Sequence, residues 1–126
     1  MTFYNVCPAE IESGGPELAH QMCHRLNDAG LEAYMYYIKS NDINPQDVNA
    51  SDKYIKYNTF HAKQLSEIEQ DTSVVVFNEG ATGLIPLIKH CHKVLWWMSV
   101  DNYLINTDGR DIDVIRKEVV LHLVQS

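Results

Sequence analysis

Short apolar stretches rich in β-branched and aromatic residues recur along the chain, separated by polar or helix-like segments. Residues 3–7, 33–38, 73–77, 94–98 and 119–124 read as strands on this pattern. Between the first two, residues 16–29 read as a helix, with Leu18, Met22 and Leu26 stacked in one stripe and Ala19 and Cys23 beside them. Pro16 suits a first helical position, Glu17 complements the positive end of the helix dipole, and Gly30 supplies the stop. His20, Gln21, His24 and Arg25 fall largely on the other side of that helix and are expected to face water. Residues 84–91 predict a further helix after the small residues of 80–83, and 111–118 a helical turn or two. Residues 39–53 read as a polar loop. Residues 54–70 fit neither period well, apart from a short edge piece at 64–68.

Strands alternating with helical segments predict one α/β domain over residues 1–126. Its expected form is doubly wound and Rossmann-like, a mainly parallel sheet of about five strands in the order 3-2-1-4-5. In that order strands one and four are neighbours at the topological switch point. The loop carrying Ser13, Gly14 and Gly15 would then face Ser99 to Tyr103 across a single crevice.

Chemistry concentrates at that edge. The fourth strand carries Trp96 and Trp97, then turns polar at Ser99, Asp101, Asn102 and Tyr103. Asp101 is the candidate catalytic carboxylate, able to take a proton from a substrate hydroxyl; its plain alternative is to cap a turn. Glu79, after strand three, is a second candidate, with a solvated loop acid as the alternative. Gly14 and Gly15 permit close approach, and the first helical turn, with Ser13 and Glu17 beside it, can hold an anion or a sugar hydroxyl; alternatively the glycines only pack strand against helix. Neither the Gly-x-Gly-x-x-Gly fingerprint nor a phosphate-binding P-loop is present, and no cofactor is expected. His20 with His24, and His90 with Cys91 and His92, offer too few convergent ligands, so no metal is expected. Tyr34, Tyr36, Tyr37, Tyr54 and Tyr57 suit either an acceptor groove or ordinary half-buried positions.

Charge and cysteine content narrow the setting. A formal charge of −7 argues against nucleic acid or an anionic membrane as the main partner. Three cysteines without Cys-x-x-Cys spacing fit a reducing cytoplasm, and no apolar run approaches the length of a membrane span.

The Ser-Gly-Gly-Pro-Glu loop at 13–17, the Trp-Trp-Met-Ser-Val-Asp-Asn-Tyr block at 96–103 and the terminal His122, Leu123, Val124, Gln125 and Ser126 occur in a telling order. Together they resemble the amino-terminal half of bacterial GT-B glycosyltransferases of the family-4-like kind, and the resemblance covers essentially the whole chain. It implies the acceptor-side domain of a nucleotide-sugar-dependent transferase, of the sort that builds bacterial surface polysaccharide or glycan. Gly14 and Gly15 would approach the donor diphosphate, while Ser99, Asp101 and Asn102 would border a glycan or lipid-linked acceptor. The donor domain with its paired-glutamate motif is not in this chain, so the chain alone is expected to be inactive. A non-catalytic ligand- or protein-binding module derived from such an enzyme is the alternative. Apolar residues Val119, Leu121 and Leu123 further predict a homo-oligomer through the C-terminal strand region.

Overall fold

A computed structural model describes residues 1–9, 14–39, 42–48, 52–97 and 121–124. Four strands of six or seven residues, β1 (Thr2–Pro8), β2 (Glu32–Ile38), β3 (Ser73–Asn78) and β4 (His92–Trp97), form the body of the sheet. The four-residue β5 (Leu121–Val124) adds to the outer side of β4. Every pairing is parallel. The α/β class and parallel sheet expected from the alternating pattern are therefore present.

The strand order is β2-β1-β3-β4-β5, which corrects the expected 3-2-1-4-5. The strand beside β1 is β3, and β4 lies one place further out. The cause is a strand-like segment that residues 54–70 conceal. The Met35 amide donates to the Phe60 carbonyl at 2.7 Å and the Ala62 amide to the Met35 carbonyl at 2.9 Å, forming a parallel bridge between Met35 and His61 outside β2. With that rudimentary pairing counted as a strand, the succession becomes that of a doubly wound fold, whose switch point lies between β1 and β3. The segment is too short for a period-2 pattern to register. The edge piece expected at 64–68 is instead a single helical turn, α2 (Leu65–Ile68).

Alternation along the strands divides the core into two faces. On one, Ala19 and Cys23 of α1 (Gly14–Asp28) pack with Cys7, Ala33, Met35 and Tyr37. On the other, Ile68 of α2 and Leu84, Ile85 and Ile88 pack with Val6, Tyr36, Val75, Phe77 and Leu95. The helix expected at 84–91 is a 3-10 helix over Glu79–Leu87 with Pro86 inside it. Proline removes an N–H and clashes with the preceding turn, so a long α-helix is not available there.

The end of α1 follows its sequence signals. Gly30 has φ +87°, the Leu31 amide donates to the Leu26 carbonyl and the Gly30 amide to the Asn27 carbonyl, both at 3.0 Å. This is the left-handed termination that glycine supplies most cheaply. Asn27 then ties the turn to β2: its side-chain oxygen accepts from the Ala33 amide at 3.0 Å and its side-chain nitrogen donates to the Ala33 carbonyl at 3.1 Å. No helix among the described residues is long and apolar enough to cross a membrane.

Candidate functional site

Ligands of open α/β sheets bind beyond the carboxyl ends of the strands, at the switch point. Here that crevice lies between the ends of β1 and β3. One wall is the start of α1, where Gly14 and Gly15 precede the buried Pro16. Proline is tolerated in this first turn because the N–H it lacks has no intrahelical acceptor. The opposite wall is the end of β3. Asn78 accepts the Gly80 amide on its side-chain oxygen at 2.9 Å and so caps the 3-10 helix that Glu79 opens. A Cβ on Gly80 would lie 3.2 Å from that oxygen, so close approach favours glycine there.

The strand order therefore sets the end of β3, Asn78 to Gly80, rather than the end of β4, beside the end of β1. Because β3 intervenes, the end of β4 is two strand spacings from β1, about 10 Å across the sheet. That order corrects the expected adjacency of strands one and four, and with it goes the argument that placed Ser13, Gly14 and Gly15 in a single crevice with Ser99, Asp101, Asn102 and Tyr103. Ser13, Ser99, Asp101, Asn102 and Tyr103 themselves lie outside the described residues, as does the helical turn expected at 111–118.

Glu17 sits one turn into α1 and is held from above. The Tyr57 hydroxyl donates to Glu17 Oε1, and Lys56 Nζ lies 3.8 Å from the same oxygen. The Tyr57 bond chiefly lowers the carboxyl pKa, helped by the nearby Lys56 and Lys53. Both Tyr57 and Lys56 belong to a 3-10 helix over Asp52–Tyr57 that packs on α1.

His20 occupies the centre of this contact and is 1 % exposed, which corrects its expected position in water. Its Nδ1 is 2.7 Å from the Pro16 carbonyl and its Nε2 is 2.8 Å from the Tyr37 hydroxyl. A carbonyl can only accept, so Nδ1 carries the proton and Tyr37 donates to Nε2. His20 is thus a neutral imidazole in one tautomer, stacked on Tyr54 with ring centroids 4.4 Å apart. Burial lowers its pKa, against the opposing pull of the Pro16 carbonyl and Glu17. Burial likewise pushes the Tyr37 phenol well above its usual range. Neither group is suited to exchange protons near neutrality. Together they fix the first turns of α1, and with them the glycine wall of the crevice.

Of the tyrosines considered for an acceptor groove, Tyr37, Tyr54 and Tyr57 gather over the polar side of α1. Tyr36 is buried on the other face and donates to the Ile43 carbonyl at 2.7 Å. The missed signal is the spacing of Pro16 and His20, four residues apart, which lets the imidazole reach the carbonyl of its own helix. Among the described residues, no group of three or more His, Cys, Asp or Glu side chains is placed to hold a metal ion. Burial pushes the thiols of Cys7 and Cys23 up to about 12, so neither is a ready nucleophile. No family model, curated protein or solved structure matches the chain.

Proposed function

We propose that this chain is the acceptor-side domain of a nucleotide-sugar-dependent glycosyltransferase acting in bacterial glycan synthesis. The observation that carries the proposal is the switch point between β1 and β3, with the Gly14–Gly15 start of α1 in the connection after β1 and Asn78–Gly80 at the end of β3. Backbone amides of a glycine turn at a helix start suit a diphosphate or sugar hydroxyls. The ordered motifs at 13–17 and 96–103 add the resemblance to GT-B transferases. Asp101, Ser99, Asn102 and Tyr103 follow β4 and belong to the acceptor half of the same sheet edge in this proposal, with Glu79 nearest the glycine turn.

The test is sugar transfer by a polypeptide that joins this domain to a donor-binding domain. Asp101→Asn should lower turnover while leaving the melting temperature unchanged, and this chain alone should give none. Full activity in Asp101→Asn removes the catalytic role of that residue, and transfer by the isolated chain contradicts the division into two halves. One observation favours a non-catalytic binding module instead: β3 separates β1, which leads into the glycine turn, from β4. Acceptor-glycan binding without transfer in the joined polypeptide would support that module. Self-association through β5 belongs to the same proposal, and light scattering of Leu121→Lys against the natural chain measures it.

A further inference from the structure

At the opposite end of the strands from the crevice, Tyr4 and Tyr34 are register partners on β1 and β2. Their rings stack with centroids 5.8 Å apart and planes 23° from parallel. Glu32 starts β2, six residues and roughly 20 Å of strand before Ile38. Between these residues and the segment that covers the β2 edge lies a cleft of about 240 Å³, lined by Tyr4, Glu32, Tyr34, His61, Ala62 and Glu67. At ~30 Å³ per water, it has room for about eight waters or a ligand of similar size.

The hydrogen-bonding groups of this cleft are unevenly used. Glu32 Oε1 accepts the Tyr34 hydroxyl at 2.7 Å, leaving Oε2 unengaged among the described residues. Glu67 Oε2 accepts the Lys63 and Gln64 amides at 2.7 and 3.1 Å, leaving Oε1. Tyr34 has donated its one proton and can only accept further. Tyr4 is just 7 % exposed, and its hydroxyl, which opens onto the cleft within reach of the Glu67 and Glu32 charges, has no hydrogen-bond partner among the described residues. His61, the one basic side chain of the lining among the described residues, is turned to Asp47, 3.0 Å from Nε2, and Lys63 Nζ is 3.9 Å from the same carboxylate.

We propose that this cleft binds a small primary amine, whose ammonium donates to the unengaged oxygens of Glu32 and Glu67 and to the hydroxyl oxygens of Tyr4 and Tyr34. Two half-used carboxylates with no cation between them among the described residues call for positive charge. Acceptors converging from several sides call for a group with several N–H donors, which a primary ammonium has and a quaternary one lacks. The half-buried Tyr34 ring adds an apolar surface for the alkyl part. The site is distinct from the switch-point crevice and does not depend on the transferase proposal.

The test is an NMR titration of the isotopically labelled chain with 1,4-diaminobutane at constant ionic strength, with tetramethylammonium in parallel. Saturable shifts at Tyr4, Tyr34 and the Lys63 and Gln64 amides are expected. Glu32→Gln and Glu67→Gln should each weaken binding at least about tenfold, as for loss of a charged hydrogen bond. Tyr4→Phe should weaken it less, and tetramethylammonium should bind far more weakly. Absence of saturable shifts overturns the proposal. So do shifts that neither substitution alters, which would mean diffuse attraction of cations to an acidic chain, and equal binding of tetramethylammonium. Glu32 holds no backbone amide, so Glu32→Gln carries the test even if Glu67→Gln loosens α2.

Discussion

The two faces of the sheet are held by different forces. Over β1 and β2, α1 presents small side chains, Ala19 and Cys23, to Ala33 and Met35, and its specificity comes from directed bonds around His20, Tyr37 and Glu17. The opposite face is filled by volume. Tyr36, Phe77, Ile68, Leu84, Ile85, Ile88 and Leu95 are all at most 1 % exposed. Burial of apolar area is non-directional and large, whereas each hydrogen bond adds little net stability but is expensive to break on one side. The aliphatic face should therefore dominate stability, and the polar face should set where α1 sits and how stability varies with pH.

The sharpest test of that division is Phe77→Ala. Phe77 is fully buried at the centre of the larger cluster. Its truncation leaves a cavity that the sheet cannot close, and a loss of about 3–5 kcal/mol is expected by chemical denaturation. A loss below about 1 kcal/mol would mean that this face is loosely packed and the contrast false.

His20→Gln probes the polar face. At pH 7.5 it should cost about 1–2 kcal/mol, because glutamine cannot satisfy Pro16 and Tyr37 together or stack on Tyr54. The pH dependence is more diagnostic. The folded pKa of His20 lies below its usual 6.5, so as pH falls below that value the unfolded chain binds a proton that the folded chain refuses. The His20 contribution is thus complete above about pH 6.5 and declines as pH falls through the lowered folded pKa. His20→Gln should flatten the stability profile in that window. Glu17, also lowered, acts in a separate window below its usual 4.5 and should remain visible in the variant. An unchanged slope near pH 6 would mean that His20 is open to water.

These forces differ in how plainly a sequence displays them. Burial leaves a periodic trace, so β1, β2, β3, β4 and α1 are legible within a residue or two from runs such as 73–77 and the Leu18, Met22, Leu26 stripe. A three-residue edge pairing at 60–62 has too little length for a period, and missing it shifted the strand order and, with it, the place of the switch point. The clamp on α1 was hidden for another reason. Histidine and glutamate on the outer side of an amphipathic helix read as solvated unless something covers them, and the cover comes from Tyr54 and Tyr57, more than thirty residues away. The glycine turn of the site was visible in the sequence. Its partner across the crevice followed only from the strand order.

The smallest expected effect tests the polar face at its exception. Asn5 lies on the α1 side of β1, in register with Met35 on β2 and Val76 on β3, and is 2 % exposed. Neither its side-chain nitrogen nor its oxygen has a hydrogen-bond partner. An amide buried without partners carries a desolvation cost that an apolar residue of similar volume does not. Asn5→Val adds a β-branched side chain on a central strand without much change in volume, and should raise stability by about 1 kcal/mol. A measured loss of stability would instead mean that the amide finds partners in solution, through water or a molecule seated at the β1–β3 junction. In that case the directed bonding of this face would extend from α1 to the floor of the switch-point crevice.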